Sequence, residues 1–364
     1  MADAQHANGA MPTTAPEYVV FEGPGMDAFA ESPEWGGSLV IFPFMYYETY
    51  GDDSLIKKYY PNMRRYVDYL KTRAEMGILS FGLGDWYDYG DFRAGFSRNT
   101  PVPLVATAHY YMTVMYLIKA AKMVGNDFDI HYYTSLAHEI LASFNKCFLN
   151  KETAQYGTGS QCSNALPLFL QMTQDSDEQG SYRPDAKLDE KVLMNLIKDV
   201  EAHGNRLTTG DVGNRYLIQT LARNGQHELI YKMFNHEEAP GYGFQLKFGA
   251  TTLTEQWDPR QGSSWNHFMM GQIDEWFFNS LVGIRPSTTY QKFIIAPQPV
   301  GDLKYVKASY ETLYGTIVVD WTSQNGTFTL NISVPVNTTA VVYLPGEKEP
   351  KEIQSGTYQL VCAK

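Results

Sequence analysis

A single change of rhythm divides this chain. From about residue 36 to 284 the apolar side chains recur every three or four positions, and beyond "LVGIRPS" they recur every second position. A period near 3.6 buries one face of a helix and a period of 2 buries one face of a strand, so no segment serves both patterns at once. The first stretch must therefore pack as helices and the second as sheet. In "DDSLIKKYYPNMRRYVDYL" the apolar Leu55, Tyr59, Met63, Tyr66, Val67 and Leu70 fall on one helical face. Asp52 or Asp53 is placed to cap that helix, and Pro61 within it predicts a break or kink. Similar patterns near 37–50, 103–124, 127–148, 162–172, 189–204, 211–224, 226–236 and 263–281 bring the expected total to about nine helices.

Short links such as "VGND" and "RNGQ" favour antiparallel neighbours in the helical region. The connections 76–102, 150–161 and 237–262 are too long to be turns and are rich in Gly, Tyr and Trp, which makes them the natural place for function. In the second region Phe328, Leu330, Ile332 and Val334 alternate with polar residues, and Asn325-Gly326 signals a hairpin. With "GTIVVDW", "TAVVYLP" and "GTYQLVC" this predicts a compact antiparallel β-sandwich. At 364 residues the chain exceeds one compact core, so the expected organisation is a helical domain over 1–284 and a sandwich over 285–364.

Composition removes several functions. A net charge of −11 with no basic stripe argues against nucleic acid. No apolar run is long enough to span a bilayer, and the first residues lack the pattern of a signal peptide. Cys147, Cys162 and Cys362 lie far apart with no CxxC spacing, so neither a zinc site nor a disulfide framework is indicated, although two could pair if the fold joined them. No metal or cofactor is expected. The GxSxG, GxxxxGK[ST] and HExxH patterns are absent, and "TTGDVGNRY" opens a helix without the preceding strand of a dinucleotide site, so Gly210 and Gly213 read as helix-start packing.

Two constellations remain. The loop "FGLGDWYDYGDF" sets Asp85, Asp88 and Asp91 among Trp86, Tyr87 and Tyr89. Carboxylates bind sugar hydroxyls while an aromatic face covers the C–H side of a ring, and the plainer reading is an acidic turn with half-buried aromatics. The three acids lack the spacing of a calcium loop. The second constellation begins at "GATTLTEQWD" and runs on through "PRQGSSWNHFMMGQIDEWFF". Glu255 is its candidate acid, with Asp258 and His267 as further polar groups and Trp257 and Trp265 as walls. His267 falls near the start of a predicted helix, Asp274 and Glu275 read as solvated, and Trp276 and Phe277 as core.

Taken in order, these segments resemble the inverting α-L-rhamnosidases of bacteria and fungi. "GATTLTEQWD" with "SSWNHFMMGQIDEWFFNSLVGI" is similar to that family's TT-x-W-E-x-W-D segment and the S-x-NH-x(3)-G helix after it. "FGLGDWYDYG" is similar to its GDW loop, "YGTGSQCSNALPLFL" to its T-Q-x-x-x-A-L-x-L helix, and "LTTGDVGNRYLIQTLARNGQHELIYKMF" to its L-T-T-G-x-x-G-x-x-Y-L segment. The likeness runs from Ala2 to the end. It implies a mainly α fold, an (α/α)6 six-hairpin barrel followed by a C-terminal antiparallel β-sandwich, and inverting hydrolysis of terminal α-L-rhamnosides. Glu255 would be the general base, His267 would contact the sugar, and Asp85, Trp86 and Trp257 would belong to the sugar site. The implied partner is a rhamnose-containing oligosaccharide, polysaccharide or glycoside, with no nucleic acid and no membrane.

Two departures from the family pattern matter. Thr254 stands where the family has Trp before the base, which implies a reshaped or more open subsite. The family's general acid lies in a D-x(3)-R-x-E-R-x-G-W-x-G-D segment whose like is not found here, so the barrel is expected to be incomplete at its N-terminal side and the chain by itself inactive or impaired. The competing readings are a non-catalytic carbohydrate-binding remnant and a different hydrolase or lyase on the same helical barrel. The compartment is open, and a periplasmic or extracellular place would suit a longer, polysaccharide-degrading protein.

Overall fold

The computed structural model describes residues 1–176 and 182–363. The chain forms two compact units, one of Met1–Phe44, Asp53–Thr220 and His236–Met270, the other of Met45–Asp52, Leu221–Asn235 and Gly271–Lys364. The longer helices are α1 (Ser38–Tyr50), α2 (Ser54–Arg73), α3 (Val102–Val124), α4 (Asp127–Phe148), α5 (Gln161–Phe169), α6 (Ala186–Ala202), α7 (Gly213–Arg223) and α8 (His227–Phe234).

The first unit is built around α3, in which every residue from Leu104 to Val114 is buried. A helix apolar all round is stable only inside other elements, and α3 packs against α2, α4 and α5. Its link to α4 shows why "VGND" turns the chain back. Gly125 stops α3 in the left-handed region (φ 74°), and the Asn126 side chain accepts a hydrogen bond from the Asp129 backbone N–H to start α4.

Helix α2 departs from expectation in three respects. Its buried face is Ile56, Tyr60, Met63, Tyr66, Val67, Tyr69 and Leu70, while Leu55 and Tyr59 lie on the half-exposed edge. Pro61 does not break it. The ring costs one backbone hydrogen bond, and the burial of Tyr60, Met63, Val67 and Leu70 on both sides holds the helix through it. Asp53 occupies the cap position without a cap hydrogen bond, because its carboxylate pairs with Lys57 Nζ at 2.7 Å.

The long connections also contain structure. Leu149–Asn150 pairs with Gln155–Tyr156 as a small hairpin, and Tyr242–Lys247 forms a short helix within 237–262.

The second unit carries strands β1 (Ile284–Thr289), β2 (Lys292–Ile295), β3 (Tyr305–Thr312), β4 (Gly315–Gln324), β5 (Thr327–Val334), β6 (Thr339–Val342), β7 (Lys351–Ile353) and β8 (Gly356–Ala363). They form two four-stranded sheets, ordered β7-β6-β2-β1 and β8-β5-β4-β3. The expected alternation holds: Phe328, Leu330, Ile332 and Val334 are buried, as are Ile317, Val319 and Trp321 on the neighbouring strand. Asn325 and Gly326 both take positive φ, 52° and 73°, which fits the tight turn between β4 and β5. The pairing is antiparallel except for β2 with β6, which run parallel.

The helix expected over 263–281 is replaced by three short pieces of different pitch. A 3-10 turn covers Phe268–Gln272, an α turn Ile273–Trp276 and a π turn Phe277–Val282. Segments of unequal pitch cannot hold one apolar stripe. Trp276 is buried, its Nε1 donating to His227 Nδ1 at 3.1 Å, whereas Phe277 turns outward and is 39% exposed rather than core. Among the described residues no helix is long and apolar enough to cross a membrane, and the three cysteines are free.

One carboxyl underpins the loop after residue 80. Glu34 accepts from the Ser32 hydroxyl and from the Gly84 N–H at 3.0 Å, while the Ser32 Oγ accepts from Leu83 N at 3.1 Å. Burial outweighs these bonds and pushes the Glu34 carboxyl up to about 7. The folded state thus holds this proton more tightly than the unfolded chain does. The resulting stability is fully present below the ordinary glutamate value and is lost as pH rises through about 7. Glu34→Gln is therefore expected to flatten the fall in unfolding temperature between pH 5 and 8, read by scanning calorimetry. An unchanged slope would contradict this assignment.

Candidate active site

The loop at 81–92 is fastened from below. Asp85 is fully buried, and its Oδ1 accepts from the Gly213 N–H at 2.6 Å, at the first residue of α7. Burial, then the charge of Asp88, push the Asp85 carboxyl up to about 7, opposed by the backbone N–H groups of Gly213 and Gly210. Asp88 is also buried and accepts from the Arg98 and Asn99 N–H groups at 2.7 and 2.6 Å. Both acids brace the loop. Trp86 is partly exposed and sits edge-on to Phe29 and Phe96, with centroids 5.5 and 5.4 Å away.

The segment "TTGD" closes on this loop with little space to spare. Asp211 N donates to Trp86 O at 2.7 Å. A Cβ on Gly210 would lie 2.0 Å from that same oxygen, and one on Gly213 would lie 2.6 Å from Asp85 Oδ2. The two glycines are thus close-approach positions, in keeping with the packing role expected of them.

Glu255 and His267 are brought side by side by a short ladder. Glu255 N donates to Ser264 O and His267 N to Leu253 O, each at 2.9 Å, and Ser264 N lies 3.2 Å from Glu255 Oε2. Trp257 is buried, with its indole N–H donating to Thr209 O at 3.3 Å and its ring edge-on to Tyr242. Its partner Thr209 stands two residues before Asp211, and Trp265, by contrast, is 44% exposed. Asp258 is engaged by Arg260, whose Nε and Nη2 donate to it at 2.8 Å, and these bonds hold its carboxyl below the ordinary aspartate range. Thr254 is buried, and its hydroxyl donates to Gln256 O at 2.7 Å.

These two systems meet at one point. Ligating atoms of Asp211, Glu255 and His267 all lie within 4.8 Å of one another, and His267 Nε2 is 3.7 Å from Asp211 Oδ2. Asp211 is buried while Glu255 and His267 are half-buried. Burial first, and then the charges of Glu255 and Asp85, hold the Asp211 carboxyl well above the ordinary aspartate range. The Tyr87 phenol, raised by burial and then by Glu255 and Asp211, belongs to the same neighbourhood, and its backbone takes φ 60°. Such an arrangement offers a carboxylate base, a second carboxyl for hydrogen bonding and an imidazole, all beside aromatic surface.

Of these residues, Asp211 alone is not marked by the sequence patterns, whereas Tyr87 belongs to the aromatic set of the 81–92 loop. Asp211 lies between two glycines that read as packing, and an acid just before a helix is an ordinary N-terminal residue, so local pattern gives it no signal. Asp91, Asp274 and Glu275 do not belong to the cluster.

Comparison with known proteins places the chain. Residues 1–281 match the family model of the bacterial alpha-L-rhamnosidase 6 hairpin glycosidase domain, and residues 283–359 that of the bacterial alpha-L-rhamnosidase C-terminal domain. An alpha-L-rhamnosidase of Streptomyces avermitilis is 28% identical over 97% of this chain and 33% of its own length. The structure of alpha-L-rhamnosidase from Dictyoglumus thermophilum superposes with a TM-score of 0.84 at 30% identity, over 100% of this chain and 42% of that one. The Streptomyces avermitilis enzyme complexed with L-rhamnose gives a TM-score of 0.84 at 24% identity, over 99% of this chain and 35% of that one. The chain thus spans about a third of the length of the curated relatives it matches.

The fit around Gly210 gives a direct test. Gly210→Ala is expected to lower stability by about 1–3 kcal/mol, since backbone rather than a flexible side chain meets the added methyl. Chemical denaturation reads it, and a change within about 0.5 kcal/mol would mean that the two loops are not pressed together there.

Proposed function

Since the chain belongs to the bacterial α-L-rhamnosidase family, we propose that the cluster of Asp211, Glu255 and His267 hydrolyses terminal α-L-rhamnosidic bonds with inversion. The observation that carries this reading is the position of Glu255, a half-buried carboxylate fixed on a short ladder and facing an imidazole and a second carboxyl. Glu255 acts as the general base and takes a proton from the water that attacks the anomeric carbon. His267 hydrogen-bonds a sugar hydroxyl. Trp86, partly exposed, offers the aromatic surface against the C–H face of the ring.

Asp85 and Trp257 serve the sugar site from beneath. Asp85 holds the start of α7, and Trp257 holds Thr209, so together they fix where Asp211 and Glu255 stand. Inversion also requires a protonated carboxyl on the leaving-group side, with the pair about 6.5–9.5 Å apart to admit the water. Asp211, within 4.8 Å of Glu255, is too close for that part. In this reading residues 1–284 form the catalytic region and 285–364 the accompanying sandwich, and the substrate is a rhamnose-containing glycoside or saccharide.

An aryl α-L-rhamnoside with a good leaving group needs little acid assistance and isolates the base. Glu255→Gln is expected to lower kcat on that substrate by about 10²–10⁴-fold, with the first sugar product released as the inverted anomer. Turnover unaffected by Glu255→Gln, on folded protein, would remove Glu255 from this role.

A further inference from the structure

The sequence shows no metal-ligand spacing, yet its folding brings one imidazole and two carboxylates to a point. The ligating atoms of Asp211, Glu255 and His267 lie within 4.8 Å of one another, and Asp211 comes from a segment more than forty positions before the one that holds Glu255 and His267. We propose that these three residues form a site for a divalent transition-metal ion of the zinc class, and that its occupancy reversibly inhibits the enzyme by engaging the Glu255 carboxylate.

Three observations support the site. The first is distance. His267 Nε2 stands 3.7 Å from Asp211 Oδ2, too far for a hydrogen bond. Two ligands of a tetrahedral zinc ion, each bound at about 2.0–2.1 Å, lie about 3.3 Å apart. The gap between the imidazole and the carboxylate therefore needs to close by only a few tenths of an ångström around an ion.

The second is chemistry. One nitrogen and two oxygens suit zinc, cobalt or nickel, whereas calcium and magnesium prefer oxygen alone. Three protein ligands would leave a fourth position for water or a sugar hydroxyl.

The third is charge and order. The ligating oxygens of Asp211 and Glu255 lie within 4.8 Å of each other. Like charges crowded in a buried place favour a cation that they can share. The ligands are also held in place: the His267 and Glu255 backbones are tied to Leu253 and Ser264, and Asp211 N is tied to Trp86 O. A metal on Glu255 would occupy the lone pair that must receive the water's proton. The inhibitory consequence therefore rests on the reading of Glu255 as base, and the binding does not.

The test uses untagged, chelator-treated protein with Co²⁺ as a visible probe and Zn²⁺ in calorimetry, alongside His267→Gln and Asp211→Asn variants confirmed as folded by circular dichroism. One ion per chain is expected, with the Co²⁺ absorption band lost and the Zn²⁺ Kd raised at least about tenfold in each variant, as removal of one ligand should do. Absent binding, or the same isotherm in wild type and both variants, overturns the site. Hydrolysis of the aryl α-L-rhamnoside is followed in parallel. Zn²⁺ inhibition that chelator reverses and that weakens in His267→Gln is expected. Site-dependent binding with undiminished hydrolysis overturns the inhibitory role. If metal-free protein does not hydrolyse the glycoside while still binding one ion, the hydrolase reading and its inhibition fall and the metal site stands.

Discussion

The backbone hydrogen bond from Asp211 N to Trp86 O, at 2.7 Å, joins the two parts of the chain from which the site is made. Around it lie contacts that only this approach permits. Gly210 leaves the Trp86 oxygen room, Gly213 donates to Asp85, and Thr209 receives the Trp257 indole N–H. Each of these ties one of the two long connections to the turn that opens α7. Glu255 reaches its neighbours because that turn is pinned on both sides.

The arrangement places several acids where water is scarce. Asp85 and Glu34 are both pushed up to about 7, mainly by burial, and Asp211 is held well above the ordinary aspartate range by burial first and then by the charges of Glu255 and Asp85. Such groups weaken the folded state as pH rises, because their charged forms lose hydration. The fold answers with backbone N–H donors, from Gly213 to Asp85 and from Gly84 to Glu34, which soften the cost without removing it. Concentrating carboxyls at one spot is what makes the cluster chemically useful, and it makes the same spot receptive to a cation.

Much of this was legible in the sequence. The change of period separated helical from sheet architecture, "VGND" predicted a reversal that Gly125 and Asn126 carry out, and Asn325-Gly326 marked its hairpin. The ordered motifs pointed to the family to which the chain belongs. What the pattern missed has identifiable causes. The first turns of α2 bury Ile56 and Tyr60 instead of the neighbouring Leu55 and Tyr59, because adjacent Leu/Ile and Tyr/Tyr pairs look alike to a period and packing decides between them, while Met63, Tyr66, Val67 and Leu70 are buried as expected. The single helix expected near the end of the first region became three turns of unequal pitch, which released Phe277 to the surface.

The site divides in the same way. Local sequence determined that Glu255 and the GDW loop would lie in long connections rich in aromatics, that His267 would lie near the start of the segment after 262, and that Gly210 and Gly213 would serve packing. Tertiary structure alone decided that Asp211 would lie beside Glu255 and His267, that Trp257 would be buried with its indole N–H on Thr209, and that Asp85 would be a buried brace. The reason is physical: periodicity and turn chemistry act over a few residues, whereas the distance between Asp211 and Glu255 depends on how two loops close over α7. No pattern along the chain encodes that closure except through the side chains that happen to fit.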